Sequence, residues 1–400
     1  MQKPENTASK ELAHTPLLLT YLCLVYDLSQ RFPNNRSSLY KKALRILLEE
    51  WAAEKRILRD EIYEGLSIGQ EEILLSEIAY DGMKDDHLFF DKRALSQQVR
   101  EFLASNLNAP KGLDSEKVLN AIEVQQGILV ERMENQYSFS HLTLQEYLTA
   151  QYLIDNNEWQ ALIQQHVTDN RWREVFLLLP GLMSGREGAN RLLLTMKQQA
   201  DECINTPRLK AFVTWAENAV DVTRKRSKPS ANRSAAIFLV LARVLNLAPD
   251  RDLALALARN LDLNLTRDLD LNLAPDRDLA RALARALAFR RVDVFRTVDF
   301  DELVRSLEEL KNEQPSNDAS SQEKQTFIDS IHVLWFSSLG IDPDVAALTS
   351  EEVQSLTDYL YVCELMIRCK EGATRVSPDV WEEIESSILT VPASHKNITR

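Results

Sequence analysis

The chain has 400 residues, 47 of them Lys or Arg and 60 Asp or Glu, with a formal net charge of −13 and 44% hydrophobic residues. That length accommodates two or three domains, and the acidity argues against a general affinity for nucleic acid or for an anionic membrane surface. With 10 glycines in all, against roughly 7% in an average chain, the positive-φ turns of β-rich folds and the glycine loops that cradle phosphates are disfavoured, and neither GxxxxGK(S/T) nor GxGxxG occurs in the sequence.

The chain opens on Met1-Gln2-Lys3-Pro4-Glu5-Asn6, which lacks a signal-peptide pattern. Its longest apolar run, Leu17 to Tyr26 broken by Thr20, is too short to span a bilayer. The four cysteines, Cys23, Cys203, Cys363 and Cys369, have no metal-ligand spacing. A cytoplasmic protein with reduced thiols, no metal and no membrane segment is expected.

Residues 9–55 are predicted to form two helices around the turn Phe32-Pro33-Asn34-Asn35. Pro16 has no N–H and must start or kink the first helix. Ser37 or Ser38 is expected to cap the second, whose apolar positions are Leu39, Ala43, Leu44, Leu47, Leu48 and Trp51. Beyond residue 70 come helices marked by Ile73, Leu74, Ile78 and Ala79, by Leu95, Val99, Phe102 and Leu103, and by Val118, Leu119 and Ile122 after an Asp114-Ser115 cap. His87 to Phe90 reads as a short extended piece. Gly127 to Arg132 and Gln136 to Ser140 read as two strands joined by Met133-Glu134-Asn135. Helices followed by a β-hairpin are a winged-helix signature.

From Leu144 onward everything reads as helical, with a break expected at Pro180-Gly181 and a basic, solvated linker at Arg224 to Ser230. Residues 243–292 are an internal repeat of Leu, Ala, Arg and Asp, with octads from 243, 251, 259, 267, 277 and 285. Leucine at alternate positions is a strand pattern, yet β-branched residues and glycine are nearly absent, and Pro followed by Asp resembles a helix start. Stacked short helices are therefore expected, with low complexity and no binding role as the plain alternative. A polar linker, Gln314 to Ser321, precedes a last helical unit from Phe327 to about Leu389, anchored by Ile331, Leu334, Trp335, Phe336, Val353, Leu356, Leu360 and Trp381. The fold class is mainly α: a helical domain (1–60), a winged-helix domain with one β-hairpin (61–141), then an all-α array made of a helical domain with the repeat (142–312) and a C-terminal helical unit (313–400).

The most informative string is Tyr137-Ser138-Phe139-Ser140-His141-Leu142-Thr143-Leu144-Gln145-Glu146-Tyr147. Thr143-x-x-Glu146 has capping-box spacing, so a helix should begin near Thr143, with His141 at a strand–helix junction where free N–H groups favour an anion. A histidine so placed also commonly hydrogen-bonds the backbone and nothing else.

This string resembles the F-x-H-x-(T/S)-(F/L)-Q-E-(Y/F) motif that ends the winged-helix domain of NACHT-type signalling ATPases, the NLR-like branch of the STAND class. Two further strings are similar to parts of the same family: Glu11 to Cys23, around Thr15-Pro16-Leu17-Leu18-Leu19-Thr20, and Phe32-Pro33 through Leu39-Tyr40 to Trp51. All three lie in order, within residues 9–155. The region after 155 resembles the C-terminal helical extensions of bacterial, particularly cyanobacterial, NACHT proteins, with no motif matched residue by residue.

The resemblance implies that Pro16 packs on adenine and that His141 contacts the β-phosphate of ADP and holds a closed, inactive state. Gln145, Glu146 and Tyr147 match the motif but read as cap and core residues. The family's ATPase core lies before the PLLL helix and is not in this sequence. The resemblance thus implies the regulatory or sensor part of a signal-transduction ATPase, non-catalytic by itself, without a cofactor of its own and using ATP/ADP where an ATPase half is supplied. The implied partner is that half or a separate protein, with self-oligomerisation as a further expectation, and some relatives act in antiphage defence. The competing reading is a winged-helix DNA-binding regulator. It is disfavoured because residues 71–134 carry 7 Lys/Arg against 13 Asp/Glu, and the helix after Asp114 is itself acidic. An enzyme complete in this chain is disfavoured too, since no Ser-His-Asp, Cys-His or metal-ligand spacing stands out.

Overall fold

Proline ends no helix at residue 16; it begins one. In the computed structural model α1 spans Pro16–Ser29, with proline at the first position, where the missing N–H has no intrahelical acceptor to lose. The structure describes residues 16–31, 35–46, 48, 66–106, 112, 114–122, 127–220, 228–244, 279, 282–283, 286–287, 289–290, 295–296, 298–316 and 318–392. The residues before Pro16, the Phe32-Pro33 turn, Trp51, the 224–227 part of the basic linker and nearly all of the 243–292 repeat lie outside them. The chain divides into two compact units, one of 1–193 with 368–377 and one of 194–367 with 378–400.

In the first unit α1 packs on α2, Arg36–Arg45. The α2 cap is Asn35, not Ser37 or Ser38: its side-chain oxygen accepts from the Ser38 N–H at 2.8 Å. Ser37 is instead buried in the first turn, its hydroxyl donating to the Leu178 carbonyl at 2.7 Å. Next come α3 (Ile68–Lys84), β1 (Phe90–Asp91), α4 (Lys92–Ser105), α5 (Ser115–Ala121), β2 (Leu129–Met133) and β3 (Gln136–Phe139). Helix, strand, two helices and a hairpin is the winged-helix order. The hairpin is extended by β1 into an antiparallel sheet of order β1-β3-β2, and Met133 belongs to β2, so the turn is Glu134-Asn135, with Asn135 at φ 61°.

The caps follow from short acceptors at each start. Ser67 and Gln70 form a capping box on α3, Asp91 accepts from Arg93 and Ala94 on α4, and Asp114 accepts from Glu116 on α5. Apolar positions three and four apart bury one face of α3 (Leu74, Leu75, Ile78, Ala79) and of α4 (Leu95, Val99, Phe102).

Helix α6 runs Leu142–Asp155, α7 follows at Trp159–His166, and α6 packs on both α3 and α8, Arg173–Leu182, while α8 also packs on α2. The expected break at Pro180-Gly181 is absent: α8 continues through Pro180 to Leu182. The missing proline N–H would orphan the Phe176 carbonyl, and the buried Cys369 thiol donates to that oxygen at 3.2 Å. Gly181 lets Ser37 of α2 come close; a Cβ there would overlap the Ser37 hydroxyl and lie 2.8 Å from its Cβ.

The second unit contains α10 (Pro207–Ala219), α11 (Pro229–Val244), α12 (Phe300–Leu310), α13 (Ser321–Leu339), α14 (Pro343–Ala346) and α16 (Pro378–Ser386). Helices α9 (Asn190–Glu202) and α15 (Ser350–Gly372) contribute Leu194–Glu202 and Ser350–Ile367 to it. The last linker is shorter than expected, because Ser320 and Glu323 form a capping box that starts α13 at Ser321. Ile331, Trp335, Val353, Leu356 and Leu360 are buried, whereas Leu334, Phe336 and Trp381 are half-buried. Of the repeat, Leu279, Ala282, Ala286 and Phe289 are described, helical and buried. Buried Arg233 on α11 donates to the carbonyls of Ser386 and Ile388 at 2.7–2.9 Å, closing the end of α16.

Candidate functional site

The strand–helix junction at His141 opens on a cleft of about 590 Å3. It is lined by the polar residues Arg132, Ser138, Ser140, His141 and Gln145, of which Arg132 and His141 are exposed, and by an apolar rim of Leu88, Phe89, Met133 and Leu142. These four rim residues are 47–66% exposed, a local concentration of large apolar groups beside polar ones.

His141 is the N-cap of α6, in extended conformation at φ −142°, ψ 137°. Its carbonyl accepts from the Leu144 N–H at 3.0 Å, but its ring makes no capping hydrogen bond. The imidazole is therefore not spent on its own helix, and the partial positive charge of that N-terminus faces the cleft. Partial burial against the cleft wall and then the nearby Arg132 guanidinium hold the His141 pKa below its ordinary value. Near neutral pH the ring is uncharged, with one N–H to donate and one nitrogen to accept.

The Thr143–Glu146 capping box expected from spacing does not form. The helix starts two residues earlier than a Thr143 cap would place it, and Glu146 is buried in the joint between α2, α6 and α8. There Arg36 pairs with Glu174 through Nη1 at 2.6 and 2.8 Å, and Tyr40 stacks on Tyr147 with ring centroids 5.8 Å apart. Burial pushes the Glu146 carboxyl up to about 7, Glu174 adding to the rise and Arg36 opposing it. Gln145 is core as expected, its amide reaching the Ala79 carbonyl at 3.4 Å. Gly82 makes room for it: a Cβ there would lie 2.5 Å from the Phe90 ring and 2.8 Å from the Gln145 amide nitrogen.

Pro16 stands at the start of α1, and its side chain lies outside the described residues. Sequence reasoning missed Arg132 and the apolar rim. The rim was legible only as the apolar doublet in His87-Leu88-Phe89-Phe90; the role of Arg132 needed the strand register. Among the described residues no group of three or more His, Cys, Asp or Glu is placed to hold a metal ion, and no helix is long and apolar enough to cross a membrane.

Fold and site together define a winged helix set in a helical scaffold, with a cleft between its wing and the helix that follows. Residues 36–153 match the family model of the winged helix-turn-helix domain C-terminal to NACHT, and residues 303–391 that of NACHT C-terminal helical domain 2. The chain belongs to the NACHT-type proteins and carries, in order, domains that follow the NACHT module, which makes it a regulatory part of such a protein. No curated protein and no solved structure matches it.

Proposed function

We propose that this chain is the regulatory, non-catalytic half of a nucleotide-dependent switch, in which His141 contacts the β-phosphate of ADP bound to a NACHT ATPase core and favours the closed state. The observation that carries the reading is His141 at the N-cap of α6 with no cap bond of its own, beside an anion-favouring helix end. Pro16 is the proposed adenine contact. The ATPase half, in the same polypeptide or a partner, supplies phosphate loop and Mg2+ and covers the apolar rim when closed. Self-oligomerisation follows opening, the setting is the cytoplasm, and antiphage defence is the biological role that the family resemblance suggests.

The test is the ADP dissociation rate of the assembly that contains the ATPase core, with His141→Ala against wild type. A hydrogen bond to a charged group is worth about 1.5–3 kcal/mol, and the loss falls on the closed state alone, so release should accelerate by roughly ten- to a hundred-fold. An unchanged rate removes His141 from the site.

The alternative, a DNA-binding regulator, is favoured only by the winged-helix topology. The described start of the third helix, α5, carries Glu116 and Lys117 after an Asp114 cap, a poor surface for phosphates. Duplex binding tighter than about micromolar at ordinary salt would reverse the preference.

A further inference from the structure

We propose that Arg132 is a second anion-contacting residue of the cleft, supplying the permanent positive charge for a phosphate-bearing ligand to which His141 adds a ring N–H. The inference rests on the nucleotide reading of His141 and extends it by a residue on a different strand.

Three independent features of Arg132 support this. The first is register. Glu131 pairs with Tyr137 and Met133 with Gln136, so β2 spends two steps where β3 spends one, and Arg132 is the extra residue of a bulge. A bulge interrupts the ladder and re-aims a side chain, and such features are concentrated beside functional sites. The second is fixation. The guanidinium donates from Nε to the Ser138 hydroxyl at 3.1 Å and from Nη2 to the Ser140 carbonyl at 2.9 Å. One acceptor lies on β3 and the other is Ser140, just past its end, so the arginine is tied to the residue immediately before His141. The third is charge. Both acceptors are neutral, and no carboxylate pairs with Arg132 among the described residues, although the wing around it carries Glu131 and Glu134. The fork still has N–H donors to offer at Nη1 and Nη2.

Such an arrangement suits an anion with several oxygens. Arginine binds phosphate bidentately through a planar fork, and its charge does not titrate. A neutral imidazole and the first-turn N–H groups of α6 complete a set of donors in which one group bears a full charge. A diphosphate fits this set better than a carboxylate, because it can meet the fork and the imidazole with different oxygens. The apolar rim of Leu88, Phe89, Met133 and Leu142 lowers the local dielectric once covered and strengthens these contacts.

The test uses the full chain as purified and inorganic pyrophosphate as the probe, titrated by calorimetry and by the shifts of the Arg132 Nε–H and His141 ring resonances. Variants Arg132→Gln, Arg132→Lys and His141→Ala are compared, each with its melting temperature. Arg132→Gln should weaken pyrophosphate binding by about ten-fold, and Arg132→Lys by less, since a point charge remains but the fork is lost. Melting temperatures should stay close to wild type, because the Ser138 hydroxyl keeps its bond to the Phe139 carbonyl at 3.0 Å and the Ser140 carbonyl, whose bond to Arg132 is exposed, can turn to water. If His141→Ala weakens binding and Arg132→Gln does not, the inference fails and the nucleotide reading stands. If Arg132→Gln weakens binding and His141→Ala does not, the arginine site stands and the reading of His141 fails. If neither variant weakens it, or the unsubstituted chain does not bind pyrophosphate at all, the inference fails, while the reading of His141 is decided by ADP release from the assembly that contains the ATPase core.

Discussion

Replacing Glu146 by Gln isolates the most strongly perturbed carboxyl near the site. In the folded chain Glu146 keeps its proton up to about 7, against an ordinary value of 4.5, because it is buried between α2, α6 and α8 with Glu174 close by. The unfolded chain releases that proton near 4.5, so between the two values the native state binds more protons than the unfolded one. Stability from this group is therefore full below about 4.5, falls as pH rises through that window, and is level again above about 7. At one unit of pH per 1.36 kcal/mol, the fall amounts to about 3 kcal/mol. Glutamine has the shape of the protonated acid and does not titrate. The wild type should match Glu146→Gln near pH 4.5 and lose ground to it steadily towards pH 7.5, reaching a melting-temperature deficit of roughly 5–10 °C for a unit of this size. Melting curves of both proteins at half-unit steps, followed by near-ultraviolet circular dichroism, measure the difference directly. Glu77 and Asp81, whose carboxyls burial also raises, are the same in both proteins and cancel in the comparison. A gap between the two proteins that stays constant from pH 5 to 7.5 would refute the reasoning.

Further outcomes are expected elsewhere. Arg233→Ala should destabilise the second unit by about 1–3 kcal/mol, because it strands the buried Ile388 carbonyl just past α16; hydrogen exchange at Ile388 and Leu389 reports it. Gly181→Ala should cost about 1–3 kcal/mol by overpacking against Ser37, and Ser37→Gly in the same chain should recover part of that, read as a coupling energy in denaturant melts. The purified chain should turn over no ATP once contaminating ATPases are removed, since no phosphate loop is present in the sequence, and sustained turnover in a phosphate-release assay would argue against the non-catalytic reading.

How much of this was legible beforehand depends on the range of the interactions involved. Asp114 and Pro16 were readable as helix starts because a cap acts on its own first turn. The hairpin was readable because alternation and turn residues are local. Thr143 and Glu146 have the spacing of a capping box, yet the glutamate is withdrawn into a joint made with α8 and with α2, which lies about a hundred residues earlier. Ser37 was misread for the same reason: its hydroxyl serves Leu178, 141 residues on. Pro180 looked like a break because the donor that rescues the Phe176 carbonyl is Cys369, 193 residues further along. At the site, His141 stood out through its motif, whereas Arg132 did not, since a bulge is set by how two strands pair and not by the residue type within it.

The central claim is a contact between His141 and the β-phosphate of ADP. The most direct measurement is the 15N–31P dipolar coupling between the His141 ring nitrogens and the β-phosphorus in the ADP-loaded assembly, with 15N-histidine label and His141→Gln as the blank. An imidazole nitrogen hydrogen-bonded to a phosphate oxygen places nitrogen and phosphorus about 4 Å apart, so a coupling of that size is expected, which disappears in the variant. The absence of any 15N–31P coupling to His141 in a sample that retains its ADP would contradict it.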